Sequence, residues 1–178
     1  MPQPDILISG DGRNVAVRGK DRRLHLMRTS QDAFLVKEWL AADADARVAS
    51  DPTLSEGVSC DEAGCVVQMA DGGFAALALR AEALADDCER ASLLVTARQA
   101  PRACAAAVID QGGLQRQGAM ALRRTRDGFA VDADKPKGLD RPWSPAIAGD
   151  TDAEPNLRFT PAVPRDATPA ESDLQADD

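Results

Sequence analysis

The sequence predicts an α/β or α+β domain in which mixed β-sheets are flanked by short helices. Three observations carry that expectation. Short alternating apolar runs joined by glycine turns recur along residues 4–134, one stretch has the amphipathic spacing of a helix, and two continuous apolar runs suit strands buried on both faces.

Residues 4–28 read as three strands. Ile6 and Ile8 alternate with Leu7 and Ser9 before Asp11-Gly12. Val15 and Val17 alternate with Ala16 and Arg18 before Gly19-Lys20-Asp21, and Leu24, His25 and Leu26 follow. Asp and Gly tolerate the positive φ that tight turns demand, so Asp-Gly between alternating runs is a strong hairpin signal. A chain that opens mid-sheet in this way reads as a domain cut from something larger. Thr29-Ser30 then offers an N-cap to a helix over residues 31–42. Phe34, Leu35 and Trp39 share one face of it, which is expected to cover the sheet with Trp39 as a buried anchor.

Residues 43–51 are polar and alanine-rich, and Pro52 opposes further helix, so they read as a loop. Cys60, the turn Asp61-Glu62-Ala63-Gly64 and the run from Cys65 to Met69 suggest a hairpin. Asp71-Gly72-Gly73 turns the chain into another strand over residues 74–79. Residues 82–90 suit a short helix. Leu93-Leu94-Val95 and residues 105–109 are continuous apolar runs of the kind found in buried, parallel strands. Asp110-Gln111-Gly112-Gly113 is expected to break the second run. Residues 119–124 and 129–131, joined through Asp127-Gly128, complete a last hairpin.

The domain is therefore expected over residues 4–143, with a different regime after it. Residues 144–178 carry eight acidic residues against Arg158 and Arg165, a charge of −6 out of the chain's −8. Proline recurs through them at positions 145, 155, 161, 164 and 169. Low apolar content with charge of one sign does not repay ordering entropy, so these residues are expected to be a disordered, acidic, proline-rich tail. Neither part concentrates the basic charge that non-specific nucleic-acid binding uses. No run approaches the roughly 20 apolar residues of a membrane span, and no secretory or other export signal precedes the first strand.

The chain has four cysteines, Cys60, Cys65, Cys88 and Cys104, and one histidine, His25. An even count is compatible with two disulfides and an oxidising compartment. Buried free thiols and a four-cysteine zinc site are the alternatives. Four, twenty-two and fifteen intervening residues give none of the paired Cys-x2-Cys knuckles of zinc sites. Of the three possible connectivities, Cys60 with Cys65 across a turn and Cys88 with Cys104 between helix and loop is the expected one.

The usual catalytic signatures are absent. One histidine does not make a hydrolytic metal centre, and His25, placed mid-strand, reads as a surface or edge residue. There is no Gly-x-Ser-x-Gly elbow, phosphate-binding loop or Gly-x-Gly-x-x-Gly. Gly10-Asp11-Gly12 has a sufficient explanation as a turn. No catalytic, cofactor-binding or metal residue is assigned from the residues themselves.

The order of five segments carries a resemblance. They are DILISGDGRNVAVRGKDRRLHLMR, SCDEAGCVV, LLVTARQAPRAC, VIDQGGLQRQGAMALRR and DRPW at residues 140–143. Together they resemble the C-terminal periplasmic region of ComEC-family competence proteins of alphaproteobacteria, which follows a polytopic membrane domain and is similar to a metallo-β-lactamase-like domain. In that fold the first strands carry a turn of the Asp-x-Gly-x-Gly-Asp type, loosely echoed by Ser9-Gly10-Asp11-Gly12, and a late strand leads into a metal-binding His-His-Gly-type loop. Thr96, Ala97 and Arg98 stand where the late loop would place histidines, and the His-x-His-x-Asp-His cluster is missing.

The resemblance thus implies a degenerate, metal-free scaffold with no cofactor: a non-catalytic domain of a DNA-uptake channel used in transformation. The implied partners are the channel's own membrane domain and, weakly, single-stranded DNA, with no direct membrane insertion. The implied location is the periplasmic face of the inner membrane. A metal-dependent nuclease acting on incoming DNA, and a stand-alone interaction module or decayed gene fragment, are the alternatives.

Overall fold

The computed structural model describes residues 2–28, 32–135 and 156–158. The opening strands form as expected: β1 (Ile6–Ile8), β2 (Asn14–Arg18) and β3 (Leu24–Arg28). Helix α1 (Ala33–Ala42) follows, then a single 3-10 turn at Pro52–Ser55. The middle of the chain gives β4 (Ser59–Cys60), β5 (Gly64–Gln68), β6 (Phe74–Ala78), α2 (Ala81–Arg90), β7 (Leu93–Thr96) and β8 (Ala107–Ile109). Helix α3 (Gln111–Gln117), β9 (Met120–Thr125), β10 (Gly128–Ala133) and β11 (Asn156–Arg158) complete the described elements.

The strands build two sheets. One is antiparallel throughout, in the order β11-β10-β9-β1-β2-β3, and the other runs β4-β5-β6-β7-β8, antiparallel as far as β6 and parallel beyond it. The first sheet is closed by residues far apart in sequence: Ile6 of β1 sits opposite Leu122 of β9. Inner faces meet through Ile6, Ile8, Val15, Val17 and Met27 on one side and Val67, Leu77, Leu93, Val95 and Ile109 on the other. Each such side chain stabilises the fold by about 1.5–3 kcal/mol when fully buried. Helix α1 covers the outer face of the first sheet, where Val36 and Leu40 meet Ala16, Leu24 and Leu26. Helix α2 covers the second, where Leu84 and Cys88 meet Ala76, Ala78 and Leu94. The layers are therefore helix, sheet, sheet, helix.

Both expected disulfides are present. Cys60–Cys65 joins directly opposed residues of β4 and β5, with Cα atoms 4.1 Å apart. Cys88–Cys104, with Cα atoms 4.9 Å apart, ties α2 to the loop between β7 and β8. Parallel strands need a long crossover, usually a helix. Here ten irregular residues serve, and the bridge holds them on the outer face in a helix's place. No cysteine is free, and two bridges are those of an oxidising compartment. Among the described residues no helix is long and apolar enough to cross a membrane.

Several expectations are corrected. Thr29 and Ser30 lie outside the described residues, and α1 is capped instead by Asp32, whose carboxylate accepts from Leu35 N–H at 3.0 Å. The buried stripe of α1 is Val36 and Leu40; Phe34 is 74% exposed and Trp39 only half-buried. His25 is on an edge strand but is buried, its Nε2 3.0 Å from the Asp21 carboxylate. Residues 110–113 end β8 at Ile109 as expected, and they also open α3. Asn156–Arg158, expected within a disordered tail, pairs antiparallel with β10, placing Leu157 opposite Phe129. The rest of residues 144–178, and the DRPW segment, lie outside the described residues.

Two buried arginines fasten the loop after α1 to the first sheet. Arg18 grips the Asp43 carboxylate and the carbonyls of Pro4 and Arg22. Arg47 grips Asp45 and donates to Leu24 O at 2.8 Å. The hydrogen bond from Arg47, partly opposed by burial, holds the Asp45 carboxyl below its ordinary value of 3.8. Its contribution is therefore fully present above that pH and is lost as pH falls through the depressed folded value. Asp45→Asn is expected to lower the unfolding free energy at pH 7 by about 1.5–3 kcal/mol and to flatten the acid limb of stability against pH, read by urea titration. Replacing Cys88 and Cys104 together by serine is expected to cost about 3 kcal/mol, measured the same way.

Candidate functional site

The strand polarity of the two sheets brings one set of loops to one end. There the β1–β2 turn, the loop after β7, α3 and the residues flanking β9 and β10 enclose a cleft of about 460 Å³. Its walls include Gly10, Asp11, Ala97, Gln111, Gln115, Asp134 and Lys135.

The β1–β2 turn is built by its own side chains. Ser9 Oγ donates to Asp11 Oδ1 at 2.6 Å and accepts from Asn14 N–H at 3.0 Å, while Arg13 N–H donates to the same Asp11 oxygen at 3.0 Å. Burial pushes the Asp11 carboxyl up, but the Ser9 hydroxyl, the Arg13 amide and the Arg13 charge outweigh it, so the carboxyl sits below 3.8 and is ionised at neutral pH. Gly12 closes the turn at φ +68°, and a Cβ there would lie 2.6 Å from Leu114 Cδ1 of α3. The left-handed backbone favours glycine, and a side chain there would also have to displace the Leu114 methyl.

The loop after β7 is arranged differently at each of its first three residues. Thr96 is fully buried, and its Oγ1 accepts from Arg98 N–H at 3.1 Å. Ala97 lines the cleft. Arg98 is exposed and spends its Nε on Leu79 O at 2.9 Å, while its carbonyl accepts from Gln111 N–H at 2.9 Å. Asp110 clamps loop to helix: one carboxylate oxygen accepts from Gly113 N–H and the other from Ala100 N–H, both at 3.2 Å.

Of the residues singled out in the sequence, Gly10, Asp11 and Ala97 therefore meet in one cleft. The disulfides do not belong to it: Cys60–Cys65 lies on the edge of the second sheet and Cys88–Cys104 on its outer face. His25 lies toward the opposite end, against Gly19 and Asp21. Sequence reasoning missed Gln111, Gln115, Asp134 and Lys135. The available signal was Asp110 three residues before Gly113, which is N-cap spacing, with Gln111 and Gln115 one turn apart behind it.

Chemically the cleft offers two carboxylates, two amides, an ammonium group and backbone polar atoms. Among the described residues no group of three or more His, Cys, Asp or Glu converges to hold a metal ion. This donor set does not fit the hydrolytic metal centre of a metallo-β-lactamase-like fold, and no step is derived through one. What the cleft can do is hydrogen-bond and hold a polar group at the sandwich end.

Asp110→Ala is expected to cost about 1 kcal/mol, the usual loss for a helix cap, and to raise hydrogen exchange selectively at the amides of Ala100 and Gly113. Compared with family models, curated proteins and solved structures, the chain matched nothing.

Proposed function

We propose that this chain is the periplasmic C-terminal domain of a ComEC-like DNA-uptake channel, a metallo-β-lactamase-like scaffold whose metal ligands have been replaced. Its role is that of a folded lid or guide at the outer mouth of the channel. The observation that carries this reading is a juxtaposition. The two segments that the resemblance matches to that fold, the Ser9-Gly10-Asp11-Gly12 turn and the Thr96-Ala97-Arg98 loop in the place of its metal-binding loop, lie at one end of a helix–sheet–sheet–helix sandwich. Their neighbours are amides, carboxylates and a lysine in place of histidines. Two disulfides agree with a periplasmic location.

On this reading the domain contacts incoming single-stranded DNA weakly, through an exposed cation such as Arg98, and leaves it intact. A phosphate contact by an isolated cation is worth little and weakens further with salt. The purified chain, incubated with labelled single- and double-stranded DNA and added zinc or manganese, is expected to cleave neither. Cleavage abolished by a chelator would establish a nuclease instead. In a transformable bacterium whose channel carries this domain, deleting residues 4–143 is expected to lower transformation at least about tenfold while the channel remains in the membrane. Unchanged transformation would overturn the proposal. A tenfold loss corresponds to about 1.4 kcal/mol in an equilibrium step.

A further inference from the structure

The two disulfides sit in opposite surroundings. Cys88 and Cys104 are 4% and 8% exposed, inside the outer cluster formed with Ala76, Leu84 and Leu94. Cys60 is exposed, on a strand of only two residues that ends the second sheet, while its partner Cys65 is 4% exposed and faces the layer between the sheets. We propose that Cys60–Cys65 is a thiol-exchange site, open to a dithiol reductant in the folded chain, and that Cys88–Cys104 is closed to it.

Exchange needs a thiolate to reach one sulfur in line with the S–S bond, and reactivity follows access. Cys60, the exposed half-cystine, is assigned as the attacked side and Cys65 Sγ as the leaving sulfur. The reductant's thiolate bonds to Cys60 Sγ, the disulfide breaks, and the electron pair departs on Cys65 Sγ, which takes up a proton. The reductant's second thiol then displaces Cys60 Sγ, which is protonated in turn. The net change is two thiols on the chain and one disulfide on the reductant.

The surrounding backbone explains why the fold survives this step. The four residues between the cysteines hold themselves: Asp61 Oδ1 accepts from Ala63 N–H at 2.7 Å and Gly64 N–H at 2.9 Å, and Asp61 N–H donates to Gly64 O at 2.9 Å. None of these bonds needs the S–S bond, so the turn between the cysteines persists and the bridge can reform. What reduction frees is the end of the sheet, because β4 covers β5 through two residue pairs only. An uncovered strand edge presents unpaired N–H and C=O groups to any extended segment. The bridge therefore controls whether the β5 edge is covered.

The test uses the full chain in graded dithiothreitol without denaturant, followed by alkylation and peptide mass spectrometry, with tryptophan fluorescence and far-ultraviolet circular dichroism recorded throughout. Labelling of Cys60 and Cys65 before Cys88 and Cys104, with the spectra unchanged, is the expected result. Labelling of Cys88 and Cys104 first, of all four together, or of any only as the spectra collapse would overturn it. A second measurement tests the direction of attack. The remaining Cys60 of Cys65→Ser is expected to react with Ellman's reagent at least about tenfold faster than the remaining Cys65 of Cys60→Ser, since thiol reactivity follows exposure. Equal rates would overturn the assignment of Cys60 as the attacked sulfur.

Discussion

Two sheets must be held face to face by an interior made almost wholly of small aliphatic side chains, and the rest of the molecule follows from that. The chain has two tryptophans, four phenylalanines and no tyrosine. Among the described residues Phe129 is the one aromatic buried in the inter-sheet layer; the remainder is Ile, Val, Leu, Met, Ala and a half-cystine. Small side chains bury little area each, so the layer works only if it is dense and continuous. Continuity is obtained by topology. Strand β9 returns from the far end of the described sequence to pair with β1, so the first sheet cannot form until nearly the whole domain has been made. The outer faces are apolar too, which is why β2 and β7 are buried along their full length and need a helix on each side.

The cleft is a by-product of the same arrangement. Where strands of both sheets end together, their backbones must turn, and turning backbones bring glycines and polar side chains into one place. Gly12 suits the turn because its φ is positive and it leaves room for Leu114, and Asp110 fits because two amides of different segments point at its carboxylate. Thr96 shows how far the loop has been absorbed into the fold: its hydroxyl is buried and engaged by Arg98 N–H, with nothing turned toward the cleft. The site is shaped by packing, and its chemistry is that of polar groups left at the rim.

Much of this was legible in the residues. Asp11-Gly12 and Asp71-Gly72-Gly73 marked turns because their chemistry is local, and the run of Leu93 to Val95 gave a buried parallel strand because an all-apolar strand needs cover on both faces. What failed was tertiary. Phe34 and Trp39 are the bulky apolar residues of α1, yet the surface under that helix is Ala16, Leu24 and Leu26, and the helix turns its Val36 and Leu40 toward it. Helix α3 was hidden by Gly112-Gly113, which disfavour helix by about 1 kcal/mol each; the cap from Asp110 and the burial of Leu114 outweigh them. His25 reads as polar and therefore external, but Asp21 four residues earlier, itself exposed, gives its buried ring a partner at the surface. Of the cleft, Gly10, Asp11 and Ala97 could be named in advance, while Asp134 and Lys135 come to it only through the β9–β10 hairpin.

At the end of the sandwich away from the cleft, Arg124 of β9 reaches across to Asp71 in the β5–β6 turn at 2.7 Å, lies 4.8 Å from the centre of the Phe129 ring, and donates from its backbone N–H to the Asp5 carboxylate. That end is stitched by charge, ring and backbone at once. The cleft end has no such rivet between its two sheets among the ion pairs of the described residues; it is joined by turns and one helix of seven residues. The sandwich is thus like a bound book, with a spine at Arg124 and a fore-edge at Asp11 and Ala97. Loss of the Arg124 side chain would therefore undo the charge and ring contacts of that spine together.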